Sequence, residues 1–129
     1  MPITQPRTIA VVGASRNRRK FGNKCVRAYQ HAGWTVYPVN PSGGEIEGLP
    51  AYTRLADVPG ELRRIAVYLP PPVAVQEMHH LADRGAREVI FNPGADTPEV
   101  LERAQELGAP ARRACAIVDI GLSPAQFPG

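Results

Sequence analysis

Five of the nine residues from Arg16 to Lys24 are basic (Arg16, Arg18, Arg19, Lys20 and Lys24), and the run follows directly on Gly13-Ala14-Ser15. Cations at this density suit a compact polyanion. Gly13 permits a tight turn and close approach of the backbone to a ligand, and Ala14 is small for the same reason. The amides of Ala14 and Ser15, and the Ser15 hydroxyl, can donate to phosphate oxygens, and a following helix start adds partial positive charge. The charge is local. Residues 1–44 hold seven of the 15 Lys and Arg and none of the 12 Asp and Glu. An isoelectric point of about 9.2 raises nucleic acid as a partner. The cluster, however, is short, contains one aromatic residue (Phe21), and lies in no DNA- or RNA-binding motif. A phosphorylated small molecule is the better fit.

The dinucleotide fingerprint G-x-G-x-x-G is absent: after Gly13 and Ser15 no glycine follows until Gly22. No carboxylate stands near Val39-Asn40-Pro41 to take a ribose 2′-hydroxyl. Four cations at Arg16, Arg18, Arg19 and Lys20 exceed what a bridging diphosphate needs, and an extra phosphomonoester on the ribose would use the surplus. Pro70-Pro71-Pro72 forms a stiff wall without backbone donors. Val39 and Pro41 face it as a second wall, with room between for an adenine ring or an apolar arm. Catalytic groups are scarce. His31, His79 and His80 fall on helices, Cys25 on an inward helix face, and Asp119 has no identifiable partner. No acid–base pair or activated nucleophile stands out.

These residues need elements to place them. Thr8–Val12 reads as a buried strand ending at Gly13. Residues 13–22 are a loop, and Cys25, Val26, Tyr29 and Ala32 make one face of a helix over 23–32 that stops at Gly33. Residues 34–39 are a second strand, 41–48 a Gly-rich loop, and 55–58 a single helical turn. Residues 64–69 form a third strand, closed by the prolines. A helix over 73–84 and a strand over 87–91 follow. Thr97 is an N-cap with Pro98 at the first helical position and Glu99 in the first turn. That helix runs to Leu107, and 116–120 is a last short strand. The alternation predicts an α/β fold: a single Rossmann-like, three-layer domain with a mostly parallel sheet, its core over about 8–120 and a short tail over 121–129 that is a loop or a docking arm. In such a sheet ligands bind beyond the carboxyl ends of the strands. Four segments of unusual composition leave those ends: 13–22, 39–41, 70–72 and 92–94.

The 129 residues suffice for one ordinary domain spanning 1–129. With 43% hydrophobic and 21% charged residues the composition is globular. No apolar run reaches membrane-spanning length, and Met1–Arg7 lacks the apolar segment of a secretory signal. Two cysteines far apart make neither a disulfide framework nor a metal site. A cytoplasmic protein without a membrane partner is expected.

The runs VVGAS, Lys20-Phe21-Gly22, YPVNP (Tyr37–Pro41), YLPPP (Tyr68–Pro72) and FNPGA (Phe91–Ala95) resemble the small stand-alone CoA-binding proteins. Those share a Rossmann-like domain with the N-terminal domain of the succinyl-CoA synthetase α-subunit. The similarity extends from about Thr8 to Ile120, and V-N-P is its most discriminating piece. The resemblance implies that Gly13, Ala14, Ser15 and Lys20 hold CoA phosphates. It implies that Val39, Asn40 and Pro41 line the adenosine end, that Leu69, Pro70 and Pro71 contact the ligand, and that Asn92, Pro93 and Gly94 flank the pantetheine arm. The loop between Ser15 and Gly22 is longer and more basic than in the synthetase, so Arg16 and Arg19 join the candidates, with Arg18 beside them. The ligase phosphohistidine belongs, by the same resemblance, to a second domain that this chain lacks. The expected function is therefore non-catalytic binding of coenzyme A or acyl-CoA. An NAD(P)-binding redox enzyme or sensor is the alternative, and an interaction or nucleic-acid-binding protein on the same scaffold is a further one. A redox role for Cys115, such as a disulfide with CoA, is the lesser reading of that residue.

Overall fold

A computed structural model describes residues 6–129. Five strands form one sheet: β1 (Thr8–Val12), β2 (Thr35–Val39), β5 (Arg64–Val67), β6 (Glu88–Phe91) and β7 (Ala111–Arg113). Their order is β2-β1-β5-β6-β7, and every pair is parallel. A small antiparallel hairpin, β3 (Glu45–Ile46) and β4 (Leu49–Pro50), begins inside the stretch 41–48 expected to be a loop and runs two residues past it. Three helices cross over the sheet: α1 (Phe21–His31), α2 (Pro71–Asp83) and α3 (Pro98–Glu106). Single 3₁₀ turns occupy Leu55–Asp57, Val118–Ile120 and Pro124–Gln126. The fold is α/β and Rossmann-like, as the alternation predicts.

A parallel sheet covered on both faces needs apolar residues at nearly every strand position. Ile9, Val11, Ala66 and Ile90 point to one face, where they pack with Cys25, Val26 and Tyr29 of α1. Ala10, Val12, Ile65, Val67, Val89 and Phe91 point to the other, against Ala74, Met78 and Leu81 of α2 and Val100 and Ala104 of α3. Local signals agree with this packing. Pro71 opens α2, and the Thr97 hydroxyl accepts the Val100 amide at the start of α3.

Two expectations fail at the C-terminal end. Residues 116–120 are not a strand: Ala116 and Ile117 are fully buried and lead into the 3₁₀ turn Val118–Ile120. Their apolarity serves a different purpose. They fill the α1 face of the sheet, together with Ile120, Leu122 and Phe127, where no further helix covers it. The actual last strand, Ala-Arg-Arg, is exposed at all three positions, as an edge strand can be, and so carries no apolar signature. Asp119 is not partnerless either. It receives Arg64 at 2.9 Å and also pairs with Arg112. The tail is a docking arm: Lys24 Nζ donates to the Phe127 carbonyl and Arg27 to those of Phe127 and Pro128, each at 2.9 Å. Among the described residues no helix is long and apolar enough to cross a membrane.

Candidate functional site

The strand registers set the site. Val39 pairs with Val12, Val12 with Val67, and Val67 with Phe91, so four strands end level with one another. The next residues, Asn40, Gly13, Tyr68 and Asn92, therefore emerge as a row along the carboxyl edge. The chain leaves β1 toward β2 on one side and later crosses back to β5 on the other. The gap above β1 and β5 is the switch point at which open α/β sheets bind ligands.

Gly13 turns the chain there with φ +91°, and a Cβ on it would lie 2.5 Å from the Tyr68 carbonyl oxygen. No other residue fits without moving the β5 backbone. Gly22 is equally constrained, because a Cβ on it would collide with the Gly13 carbonyl. This contact explains why α1 begins at Phe21, two residues earlier than the apolar spacing indicates. The bare Gly22 lets the first helical turn press onto the β1 turn.

The start of α1 is electrostatically open. Its N-cap is Lys20, no side chain caps it, and its first turn holds no acid. The amides of Ala14, Ser15, Phe21 and Gly22 find no acceptor among the described residues. A helix end of this kind attracts an anion through both its free donors and its dipole.

A cavity of about 660 Å³ lies over this edge. Gly13, Ala14 and Ser15 line it from β1, Arg19 and Lys20 from the basic loop, and Asn40 from β2. Leu69 and Pro70 contribute from β5, and Asn92, Pro93 and Gly94 from β6. Phe21, Gly22, Val67, Tyr68 and Ala95 complete the lining, with no carboxylate among them. Sequence reasoning did not name these five as site residues; the resemblance motifs that contain all but Val67 were the available signal. A second cavity of about 340 Å³ adjoins the first and shares Gly13 and Leu69 with it. Val39 and Pro41 line this one, facing Leu55, Val73 and Leu81. Only one of the two expected walls enters this compartment: Pro70 lines the larger cavity, and the lining opposite Val39 and Pro41 comes from Leu55, Leu69 and α2 instead. Pro71, the first residue of α2, lines neither.

The basic loop divides. Arg16 donates to the Gly43 carbonyl, and Arg18 lies 3.5 Å from the Glu47 carboxylate, so the β3–β4 region and its approach engage both. Arg19 and Lys20 are left to line the cavity. The surplus of four cations over a diphosphate's needs therefore shrinks to two at the site itself. The two asparagines act as braces. Asn40 donates to the Ala14 carbonyl at 2.8 Å and accepts the Ser42 amide at 2.7 Å. Asn92 is almost fully buried, donates to the Val67 carbonyl at 3.1 Å, and accepts the Ala116 amide at 2.8 Å.

Titratable groups able to exchange a proton are few here. The Tyr68 hydroxyl is buried without a hydrogen-bond partner, and burial, then the neighbouring Cys25 thiol, push its pKa above the usual phenol value. Burial likewise pushes Cys25 up to about 12, which keeps it a thiol and an inert core residue. One of the three helix histidines, His80, lines the second cavity, with Nδ1 2.8 Å from Glu77. His31 and His79 line neither cavity. No group of three metal-ligating side chains occurs among the described residues.

Comparison with known proteins gives one consistent picture. Residues 7–121 match the model of a family described as a CoA binding domain. The α-subunit of an ADP-forming acetate–CoA ligase from Pyrococcus furiosus is 34% identical over 89 residues, which cover 67% of this chain and 19% of that protein. The chain thus corresponds to about a fifth of that relative's length. A conserved hypothetical protein from Pyrococcus furiosus superposes with a TM-score of 0.79 at 31% identity, covering 88% of this chain and 98% of the other. A Thermus thermophilus protein gives a TM-score of 0.81 at 26% identity, covering 90% and 89%.

Proposed function

The chain belongs to the CoA-binding domain family, and from that membership we propose that it binds coenzyme A or acyl-CoA without catalysing a reaction of its own. The observation that carries this reading is the uncapped start of α1, which faces a large cavity bearing two cations and no carboxylate. Coenzyme A joins a phosphorylated nucleotide to an apolar, thiol-ended arm, and the two adjoining cavities offer a matching pair of environments. In this reading the amides of Ala14, Ser15, Phe21 and Gly22 take the diphosphate, and Arg19 and Lys20 are shared between it and the ribose phosphate. The adenine end enters the smaller cavity between Val39 and Pro41 on one side and Leu69 and Val73 on the other. The pantetheine arm runs past Asn92, Pro93 and Gly94.

The larger cavity offers no general base. Its titratable side chains are the two cations and Tyr68, whose proton is held firmly by burial. Ligase activity is not carried over from the acetate–CoA ligase relative, because this chain spans only 19% of it. A carrier or sensor role for CoA follows, in the same compartment as CoA metabolism.

Titration calorimetry with CoA, dephospho-CoA and NADPH tests the reading. Saturable binding of CoA is expected, weaker binding of dephospho-CoA, and the weakest of NADPH. Equal affinity for CoA and dephospho-CoA would remove any role of Arg19 and Lys20 at the ribose phosphate. Tighter binding of NADPH than of CoA would overturn the proposal.

A further inference from the structure

Asn23 is fully buried in the first turn of α1, at a position where nothing obliges a polar side chain. Every polar atom of its amide is engaged. Nδ2 donates to the Ser15 carbonyl at 2.9 Å and to the Glu47 carboxylate at 3.1 Å, and Oδ1 accepts Arg27 Nε at 2.8 Å. Arg27 extends the connection outward. Its guanidinium donates to the Arg18 carbonyl at 2.9 Å and to the carbonyls of Phe127 and Pro128 at the same distance. Glu47 extends it to the hairpin, receiving Arg18 on its carboxylate and Gln30 on its backbone carbonyl. The loop from Ser15 to Lys20 is thus gripped at its first residue by Asn23 and at Arg18 by both Arg27 and Glu47. The 127–129 stretch closes against it as well: a Cβ on Gly129 would lie 3.1 Å from the Arg19 backbone nitrogen.

None of Asn23, Arg27 and Glu47 lines the larger cavity. We infer that they form the positioning device of the anion-binding loop, with residues 123–129 as its outer strap. Their bonds hold the loop so that Arg19 and Lys20 face the cavity and the amides of Ala14 and Ser15 stay aligned with the start of α1. A buried amide with three satisfied bonds is costly to disturb, since a partner left unpaired in the interior loses its compensation for desolvation. The network also explains the fate of two cations of the basic region. Lys24 and Arg27 hold the strap's carbonyls and are not offered to a ligand.

The affinity arm of the test rests on the CoA reading; the exchange arm does not. Asn23→Ala and Arg27→Met are each expected to weaken CoA binding about tenfold or more while leaving its salt dependence unchanged, because neither residue touches the ligand. Lys20→Met, by contrast, weakens binding and flattens the salt dependence. Arg27→Lys recovers part of the loss. Val100→Ala, a core truncation on α3, costs stability without loss of affinity, which separates positioning from general destabilisation. Hydrogen exchange on the unliganded protein supplies the independent readout: the amides of Asn17, Arg19 and Lys20 exchange about tenfold faster in Asn23→Ala and Arg27→Met. Unchanged exchange in both folded variants, or a salt dependence flattened as in Lys20→Met, would overturn the inference. Failure of the wild type to bind CoA would sink the function proposed above and leave the exchange result to decide this one.

Discussion

The two ends of the sheet treat charge in opposite ways. At the amino edge, Arg64 is almost fully buried at the start of β5 and meets Glu88 at 3.0 Å, Asp119 at 2.9 Å and the Tyr29 hydroxyl at 3.1 Å. Arg112 bonds the second oxygen of each acid, closing a ring of two cations and two anions. Trp34 stacks on Arg64 at 5.1 Å, and the Tyr29 hydroxyl donates a hydrogen bond to the Ala116 carbonyl at 2.7 Å. Every charge of that ring has a partner within the fold. At the carboxyl edge, two cations and four backbone amides face a cavity that no acid lines. The first arrangement ties the 116–120 segment to the sheet. The second keeps its attraction for something outside the chain. Charge that is neutralised internally serves the fold, and charge that is left unneutralised is available to a ligand.

This contrast breaks most visibly at Arg64. Arg64→Met removes the buried member of the ring, leaves Glu88 and Asp119 with Arg112 alone and takes a donor from the Tyr29 hydroxyl, and should cost about 3 kcal/mol in chemical unfolding. The fraction that remains folded keeps its CoA affinity. A loss of affinity larger than the loss of folded protein would show that the two edges are coupled. Gly13→Ala comes next. It forces a side chain into a positive-φ position and against the Tyr68 carbonyl, at a cost of roughly 1–3 kcal/mol, with CoA binding abolished or nearly so in calorimetry. Lys20→Met removes a cation that no internal acid pairs with. It should weaken CoA about tenfold and leave unfolding free energy within about 0.5 kcal/mol of the wild type.

The effect of pH is smaller still. Asp96, just past the β6 end, is an acid near the carboxyl edge that is tied internally, to Arg113 at 3.3 Å. Burial works to raise its pKa, but the Arg113 guanidinium and the Gly94 amide outweigh it and hold the carboxyl below its ordinary value. A depressed folded pKa contributes stability above the unfolded value, which is lost as pH falls through the folded one. Asp96→Asn should therefore remove a small part of the acid-side decline in melting temperature and leave neutral-pH CoA binding unchanged. An altered affinity at neutral pH would place Asp96 in the binding machinery.

How much of this could be read from the residues depends on the range of the interaction. Strands β1, β2, β5 and β6 and the Thr97 cap were legible because apolar runs and caps are local signals. The carboxyl-edge segments were legible because Gly, Pro and Asn stand where ordinary loops carry other residues. The partners of Asp119 were not, since Arg64 lies 55 positions away and only sheet order brings the two together. Nor was the division of the basic loop. Arg16 and Arg18 are taken by Gly43 and Glu47, in a segment whose short hairpin left no periodic trace. The 116–120 run was misread because burial in a sheet and burial against one look alike in five residues. Asn23 escaped notice for the opposite reason: a polar residue in a helix gives no hint that it is buried.

In the function proposed above the carboxyl edge, and not the amino edge, receives CoA. Amide chemical-shift mapping during a CoA titration tests it most directly. Large, saturable shifts are expected at Ala14, Ser15, Phe21 and Gly22, with Glu88, Arg112 and Asp119 unmoved. Shifts centred on Glu88, Arg112 and Asp119, or no saturable shift at the first four, would contradict it.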